Sequence, residues 1–376
     1  MTRRDSGSGI LTQRRLNRAL LARQMLLERR KVPATEAIQQ LVGLQAQLPR
    51  PPFVGLWTRL QKFDRGELLK LARERKVVRA TAMRGTLHVM TVPDFLLLRP
   101  ALAEMLVAGA ASIVGKQLAG VDLEGAYAAG RRFFENANAP FESFRQTLED
   151  AYGKSRVRAV AYAVRMGVPL VSVPGDAAWG WSPAAGFTLA ESWLGRQIPE
   201  RSAALDQLVL RYLAAFGPAS IADAQTWSGI RVGGGRLREV FERMRSRLVT
   251  FRDEDKRELF DLPDAPRPPE DAPAPVRFLP EFDNVLLSHD DRSRIMSDAD
   301  RKKVVSKNLQ VAGTFTVDGF VAGTWRVAEK KRTAALVLQP FRVIPRLLRQ
   351  DVEEEGLALA RFVAPEAGSH EVAQSR

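Results

Sequence analysis

The chain contains no cysteine and only three histidines, His88, His289 and His370, in 376 residues. The first absence excludes disulfides, thiolate-bound zinc, iron–sulfur clusters and a thiol nucleophile. The second leaves little material for an imidazole metal site or a Ser–His–Asp triad. No run of about 18 or more apolar residues occurs, so no membrane-spanning helix is expected. The segment Met1 to Gly9 is polar and lacks the apolar core of a signal peptide, and it reads as a flexible tail. A Walker-type phosphate loop and a Gly-x-Ser-x-Gly elbow are missing as well. Gly233-Gly234-Gly235 does not follow a strand and reads as a turn between helices. These absences predict a cytoplasmic protein with no metal and no cofactor.

What is present in excess is positive charge. The net charge is +14 and the isoelectric point is about 10.4. A value above about 9 is the first mark of a protein that binds a phosphate backbone. A solubility surface or attraction to anionic membranes would give the same number. Hydrophobic residues make up 45% of the chain, enough for a sizeable core.

The order of elements sharpens the reading. Leu11 to Lys31 is an Arg-rich helical stretch, and Thr35 is a candidate cap for a helix that carries Ile38, Leu41 and Val42. Pro49, Pro51 and Pro52 then end that helix, and Trp57 to Leu71 is helical again. Val77 to Val92 alternates and reads as a β-hairpin. Helices followed by a two-stranded ribbon are the winged-helix plan. The plan recurs over residues 93–200, with Pro169 to Trp181 as its hairpin-like stretch. It recurs again over 201–262, where Ser220 caps a helix to Trp227 and Leu248 to Leu262 forms two strands. Six prolines within 263–277 mark a stiff linker. Beyond it, over 278–376, strands dominate, and Asp318-Gly319 is a strong hairpin signal. A short helix opens at Asp351 to Glu355, and Pro365 to Arg376 is a polar tail. The expected architecture is α+β: a tail (1–9), three winged-helix units (10–92, 93–200 and 201–262), the linker, and a small C-terminal β-barrel.

Three constellations could carry chemistry. In Leu44-Gln45-Ala46-Gln47-Leu48-Pro49, a helical wheel puts Gln45 on the apolar face of Ile38, Leu41 and Val42. Burying an amide without partners costs a few kcal/mol, so it has partners or a job. Gln47 would point the opposite way unless the helix loosens near Gly43 and Pro49. A buried capping glutamine beside a solvated one is the plain alternative. In Arg84-Gly85-Thr86-Leu87-His88, alternation puts Arg84, Thr86 and His88 on one face of the hairpin, where Arg and Thr suit phosphate contacts. A lone histidine there is more often structural. The run from Leu279 to Arg292 mixes Asp283, Asn284, His289 and Arg292 beside an apolar strand. It is either the wall of a site or a polar loop closing a barrel.

These segments, in this order, resemble the AlkZ/YcaQ family of winged-helix DNA glycosylases over about Ile10 to Phe362. The most specific matches are Gly43-Leu44-Gln45-Ala46-Gln47 with Gly55-Leu56-Trp57, then Arg84-Gly85-Thr86-Leu87-His88. Leu279-Pro280-x-Phe282-Asp283-Asn284 through Ser288-His289-x-Asp291-Arg292 follows, and Asp318-Gly319-Phe320-Val321-x-Gly323-x-Trp325 looks like the family's barrel hairpin. The resemblance implies a concave DNA-binding surface and a Gln-x-Gln catalytic motif at Gln45 and Gln47, the AlkZ branch of the family. It implies excision of alkylated purines, chiefly N7-alkylguanine, and in some members the unhooking of interstrand crosslinks or self-resistance to a genotoxic product. On this reading Arg50, Arg59, Arg79, Arg84, Thr86, His88 and Arg292 contact DNA. Asp283, Asn284 and His289 support the site. The partner is double-stranded DNA with alkylated or crosslinked purines, met on the nucleoid by a monomer. A winged-helix transcription regulator without catalytic activity fits the charge and the repeats equally well, and fold alone does not separate the two.

Overall fold

The structure, a computed structural model, describes residues 9–375 except 136, 183, 200–203, 231–234 and 331. The expected flexible tail, apart from Gly9, and the turn at Gly233-Gly234 lie outside the described residues. The fold is mixed α+β. Among the described residues, the strands are β1 (Ile10–Leu11), β2 (Leu44–Gln45), β3 (Val77–Thr81), β4 (Leu87–Thr91), β5 (Leu170–Ser172), β6 (Phe187–Leu189), β7 (Val249–Asp253), β8 (Glu258–Asp261), β9 (Arg277–Leu279), β10 (Gly313–Val317), β11 (Phe320–Lys330), β12 (Thr333–Pro340) and β13 (Ser369–Gln374). They form three sheets, ordered β2-β4-β3-β5-β6, β1-β7-β8 and β13-β12-β11-β10-β9.

The first sheet corrects the picture of separate wings. Val77–Thr91 does fold as the expected hairpin, but β5 and β6 add to its β3 side and β2 to its β4 side. Every residue of β3 and β4 is buried. A strand buried on both faces offers no side to a groove, so this hairpin is a core element rather than a wing lying on DNA. The hairpin expected within Pro169 to Trp181 is wider than that, because the partner of β5 is β6, beyond Trp181. The second sheet gains β1, which pairs in parallel with β7 and ties residues 10–11 to the middle of the chain.

The prolines at 51 and 52 start a helix instead of ending one. They occupy its first turn, Pro51–Trp57, where a missing N–H costs nothing. The preceding helix, Ala34–Gln40, has Pro33 rather than Thr35 at its cap position and already stops before Gly43. Trp57 to Leu71 is likewise broken, with the next helix at Arg65–Arg73. Val92–Val114 is, by length and composition, apolar enough to cross a bilayer, contrary to expectation. Its buried Phe95, Leu98, Leu102 and Leu106 join Leu208, Leu213 and Phe216 of helix Ala204–Phe216 in one core.

The proline-rich segment is a strap, not a free linker. Arg14, Arg18 and Arg23 of helix Gln13–Arg23 donate to its carbonyls at Glu270, Ala272 and Pro266. Arg23 also forms a buried bidentate pair with Asp261, both bonds at 2.8 Å. Part of the positive charge counted in the sequence therefore works inside the fold.

The C-terminal sheet is open, not a closed barrel. Its edges are β9 and β13, and helix Arg349–Val363 packs Val352, Leu359 and Ala360 into the cluster of Phe278, Phe315 and Leu336. The Asp318-Gly319 turn is as expected, with both residues at positive φ (51° and 82°), as a type I′ hairpin requires. The expected polar tail instead supplies β13, paired in parallel with β12 from Thr333 to Leu338. The short helix expected at Asp351 is fifteen residues long.

Candidate active site at the Gln-x-Gln segment

Gln45 stands on a strand, not on a helix. After helix Ala34–Gln40 the chain turns through Val42 and Gly43, at φ 56° and 88°. A Cβ at Gly43 would lie 2.7 Å from Met90 Cγ and 3.1 Å from the Val89 carbonyl, so only glycine lets the turn pass under β4. The chain then pairs Leu44 with Val89 and Gln45 with His88, and the Ala46 N–H donates to the Leu87 carbonyl at 2.7 Å. Strand β2 ends at Gln45 and Gln47 lies in the bend that follows; both amides stand beside β4, Gln45 opposite His88 and Gln47 at the Leu87 N–H.

The two amides differ in exposure. Gln45 is buried, and its Oε1 accepts from Arg84 Nη2 at 2.7 Å. An arginine only donates, so this bond fixes which end of the amide is oxygen. The Nε2 of Gln45 has no partner among the described residues. Gln47 is exposed, and among the described residues its Oε1 accepts only a loose bond from the Leu87 N–H at 3.4 Å.

Arg84 is the hub of the site. It sits in left-handed backbone (φ 57°), with Gly85 also at positive φ. Its Nη1 donates to the Trp227 carbonyl at 2.5 Å, at the C-terminal end of helix Ile221–Ser228. Gly229 closes that helix so tightly that a Cβ there would sit 3.0 Å from Arg84 Cα. Burial, and then Arg292, push the Arg84 pKa down to about 10, which still leaves it charged at neutral pH. Arg292 is half-buried and donates through Nε to the His289 carbonyl at 3.3 Å. Among the described residues, neither guanidinium is hydrogen-bonded to a carboxylate. Two repelling cations of this kind form a site an anion would relieve.

The remaining expected residues divide into supports and structural groups. Asn284 Nδ2 donates to the carbonyls of Leu41 (3.2 Å) and Gly43 (2.7 Å), so it holds the turn that delivers Gln45. Asp283 caps the turn of helix that carries Asn284 and pairs bidentately with Arg59 at 2.8 and 2.9 Å. Arg79 donates to the Ala46 carbonyl at 3.0 Å and the Gln47 carbonyl at 3.5 Å, and so braces the motif from below. Thr86 bonds the Met83 carbonyl.

Five DNA-contact and wall assignments need correction; one is His88, which is buried in β4 opposite Gln45, so it meets no DNA. Arg59 is fully buried with Asp283, so no phosphate reaches it. Arg79 is buried too, its pKa pushed to about 10 by burial and then by Arg165, and its nitrogens serve backbone and Ser172. Arg50 is ion-paired with Glu281 and lies over the Trp325 ring. His289 is buried in the core, bonded to the Phe216 carbonyl and to Ser288, and it lines no surface. The sequence reading missed Trp227 and Gly229 altogether. Their only local signal was the helix that Ser220 caps, and nothing in it points to residue 84. Among the described residues, no three His, Asp or Glu side chains gather as metal ligands.

His88 donates Nδ1–H to the Thr86 carbonyl at 3.0 Å and is buried opposite Gln45. Burial, and then Arg84, push its pKa to about 3; burial, and then Arg294, do the same to His289. Both are neutral in the folded protein, while an unfolded chain protonates them below about pH 6.5. The unfolded state then binds more protons, so stability falls as pH drops from 6.5. At pH 5 the expected loss is about 2 kcal/mol per histidine. Urea denaturation at pH 7 and pH 5 measures it, and His88→Gln should remove about half of the difference. An identical midpoint at both pH values would refute neutral burial.

Residues 38–362 match the model of a family described as DNA glycosylase AlkZ-like. A curated relative, the interstrand DNA cross-link repair glycosylase of Streptomyces sahachiroi, is 25% identical over 366 residues, spanning 91% of this chain and 94% of the relative. The solved structure of Streptomyces sahachiroi DNA glycosylase AlkZ superposes with a TM-score of 0.80 at 21% identity, over 97% of this chain and all of that one. At that identity the structural likeness speaks for the fold.

Proposed function

Because the chain belongs to the AlkZ-like DNA glycosylase family, and so is a hydrolase acting on N-glycosyl bonds, we propose that its substrate is N7-alkylated guanine in duplex DNA, including guanines crosslinked between strands. The crosslink part leans on the name of the Streptomyces sahachiroi relative. The lesion part leans on the chemistry of the motif, and the observation that carries it is the pair of neutral amides at 45 and 47, both set beside β4. An N7-alkylguanine is already cationic, so it leaves with little acid assistance. The burden on the enzyme is to place a water and to face a sugar that becomes an oxocarbenium ion. An amide is no general base near neutral pH, but its oxygen can hold a water against a cation. Gln47, exposed and loosely bonded, offers that oxygen. Gln45, held through its own oxygen by Arg84, presents a fixed –NH2 that orients the same water. Arg84 and Arg292 receive a backbone phosphate beside the lesion. With a glutamine rather than a carboxylate at 47, ordinary bases with poor leaving ability are spared. In a cell that makes a DNA-alkylating product, this activity on the chromosome confers self-resistance.

The test is incubation of the pure protein with duplex DNA carrying one N7-methylguanine. Free base should appear, the abasic strand should stay intact, and borohydride should trap no covalent adduct, since no lysine amine is assigned to the site. Failure to release this base or a bulkier N7 adduct overturns the reading. Release of uracil or undamaged adenine overturns the preference for cationic lesions.

A further inference from the structure

Gln47 is followed by Leu48, which is 43% exposed. Its neighbours on the same segment are not: Ala46 and Phe53 are completely buried. Leu48 belongs to none of the hydrophobic clusters, although Leu44, Ala46 and Phe53 all join one. Scattered exposed leucines are ordinary. This one differs in the backbone that carries it. Below it, Arg79 grips the carbonyls of Ala46 and Gln47, and the Ala46 N–H is tied to β4. Above it, Pro49, Pro51 and Pro52 restrict the chain, and Arg50 is pinned to Glu281 as helix Pro51–Trp57 begins. Between these two anchored stretches the chain leaves an apolar side chain in water, one residue from the motif.

The bond to be cut lies within a stacked duplex, where a water cannot reach the sugar from the motif without the nucleotide being displaced. Apolar side chains inserted between base steps unstack them and bend the duplex. We propose that Leu48 is the wedge that enters the base stack beside the damaged nucleotide and holds it displaced over Gln45 and Gln47. This rests on the assignment of the motif as the reacting site. The partner is the base stack of duplex DNA. Leu48 touches no reacting atom and acts by positioning. Because the wedge is preorganised, the cost of ordering it is met in folding and not on binding.

The experiment uses the full chain and two duplexes carrying N7-methylguanine, one fully paired and one with an abasic site opposite the lesion, which removes most of the unstacking work. Leu48→Ala should lower single-turnover release from the paired duplex about tenfold, equivalent to about 1.4 kcal/mol. On the second duplex it should act within about twofold of the native protein. A fluorescent 2-aminopurine next to the lesion should brighten when the native protein or Gln47→Ala binds, and stay dim with Leu48→Ala. Equal rates for Leu48→Ala and native protein on the paired duplex overturn the proposal, as does an equal loss on both duplexes. If no base is released at all, the fluorescence still decides: brightening that depends on Leu48 keeps the wedge while the proposed chemistry falls, and brightening that ignores Leu48 removes the wedge.

Discussion

Gln47→Ala is expected to slow base release by about 10²- to 10³-fold under single-turnover conditions, the range found when one preorganised polar group is removed from a developing charge. Duplex affinity should stay within about twofold, because among the described residues the exposed amide of Gln47 makes a single hydrogen bond, at 3.4 Å. Gln45→Ala should cost as much in rate, and it should also disturb Arg84, whose Nη2 loses its acceptor while Nη1 keeps the Trp227 carbonyl. The signature that separates the two is salt dependence. Gln45→Ala loosens the guanidinium that we propose meets a phosphate, so its binding should respond differently to added salt, while Gln47→Ala should track the native slope. Full activity in either variant would remove the two-amide mechanism. Under the proposed mechanism, in which both glutamines serve one water, the double variant should be little worse than either single one.

Asp283→Ala is expected to lower folding stability by about 3–5 kcal/mol, the cost of stranding a buried charge. Both side chains of the Arg59–Asp283 pair are wholly buried, and among the described residues Arg59 pairs with no other carboxylate. The same substitution uncaps the turn that carries Asn284. By contrast, Asn284→Ala removes two hydrogen bonds to carbonyls and should cost about 1–3 kcal/mol, with its main effect on the rate of base release. Urea denaturation gives both numbers. Replacing Arg59 and Asp283 together by Met and Leu should recover much of the loss, since a well-packed apolar pair often matches a buried ion pair. An Asp283→Ala midpoint within about 1 kcal/mol of native would contradict this assignment.

How much of this was legible beforehand differs from residue to residue. The hairpin Val77–Thr91 could be read because its β-forming residues are consecutive, and the Asp318-Gly319 turn because positive φ is a local demand. Gln45 could be flagged as a polar group on an apolar face, although the face was drawn on the wrong element. A helical wheel cannot see that a Cβ at position 43 would strike Met90, since that contact spans 47 residues of chain. Arg59 looked like a DNA contact because sequence shows its charge but not Asp283, 224 residues away. The same blindness turned a parallel edge strand, Ser369–Gln374, into a tail, for parallel pairing leaves no local turn to find.

The sequence by itself determined the chemical inventory: no thiol, few imidazoles, a large positive charge and a Gln-x-Gln motif preceded by glycine. These depend on residue type and near spacing, which the chain carries without folding. Tertiary structure alone decided what each charge is for. It put Arg59 and Arg23 in the interior and left Arg84 to hold Gln45 from one side and the end of helix Ile221–Ser228 from the other. A buried cation must be matched by a partner, and the partner comes from whichever distant segment packs against it.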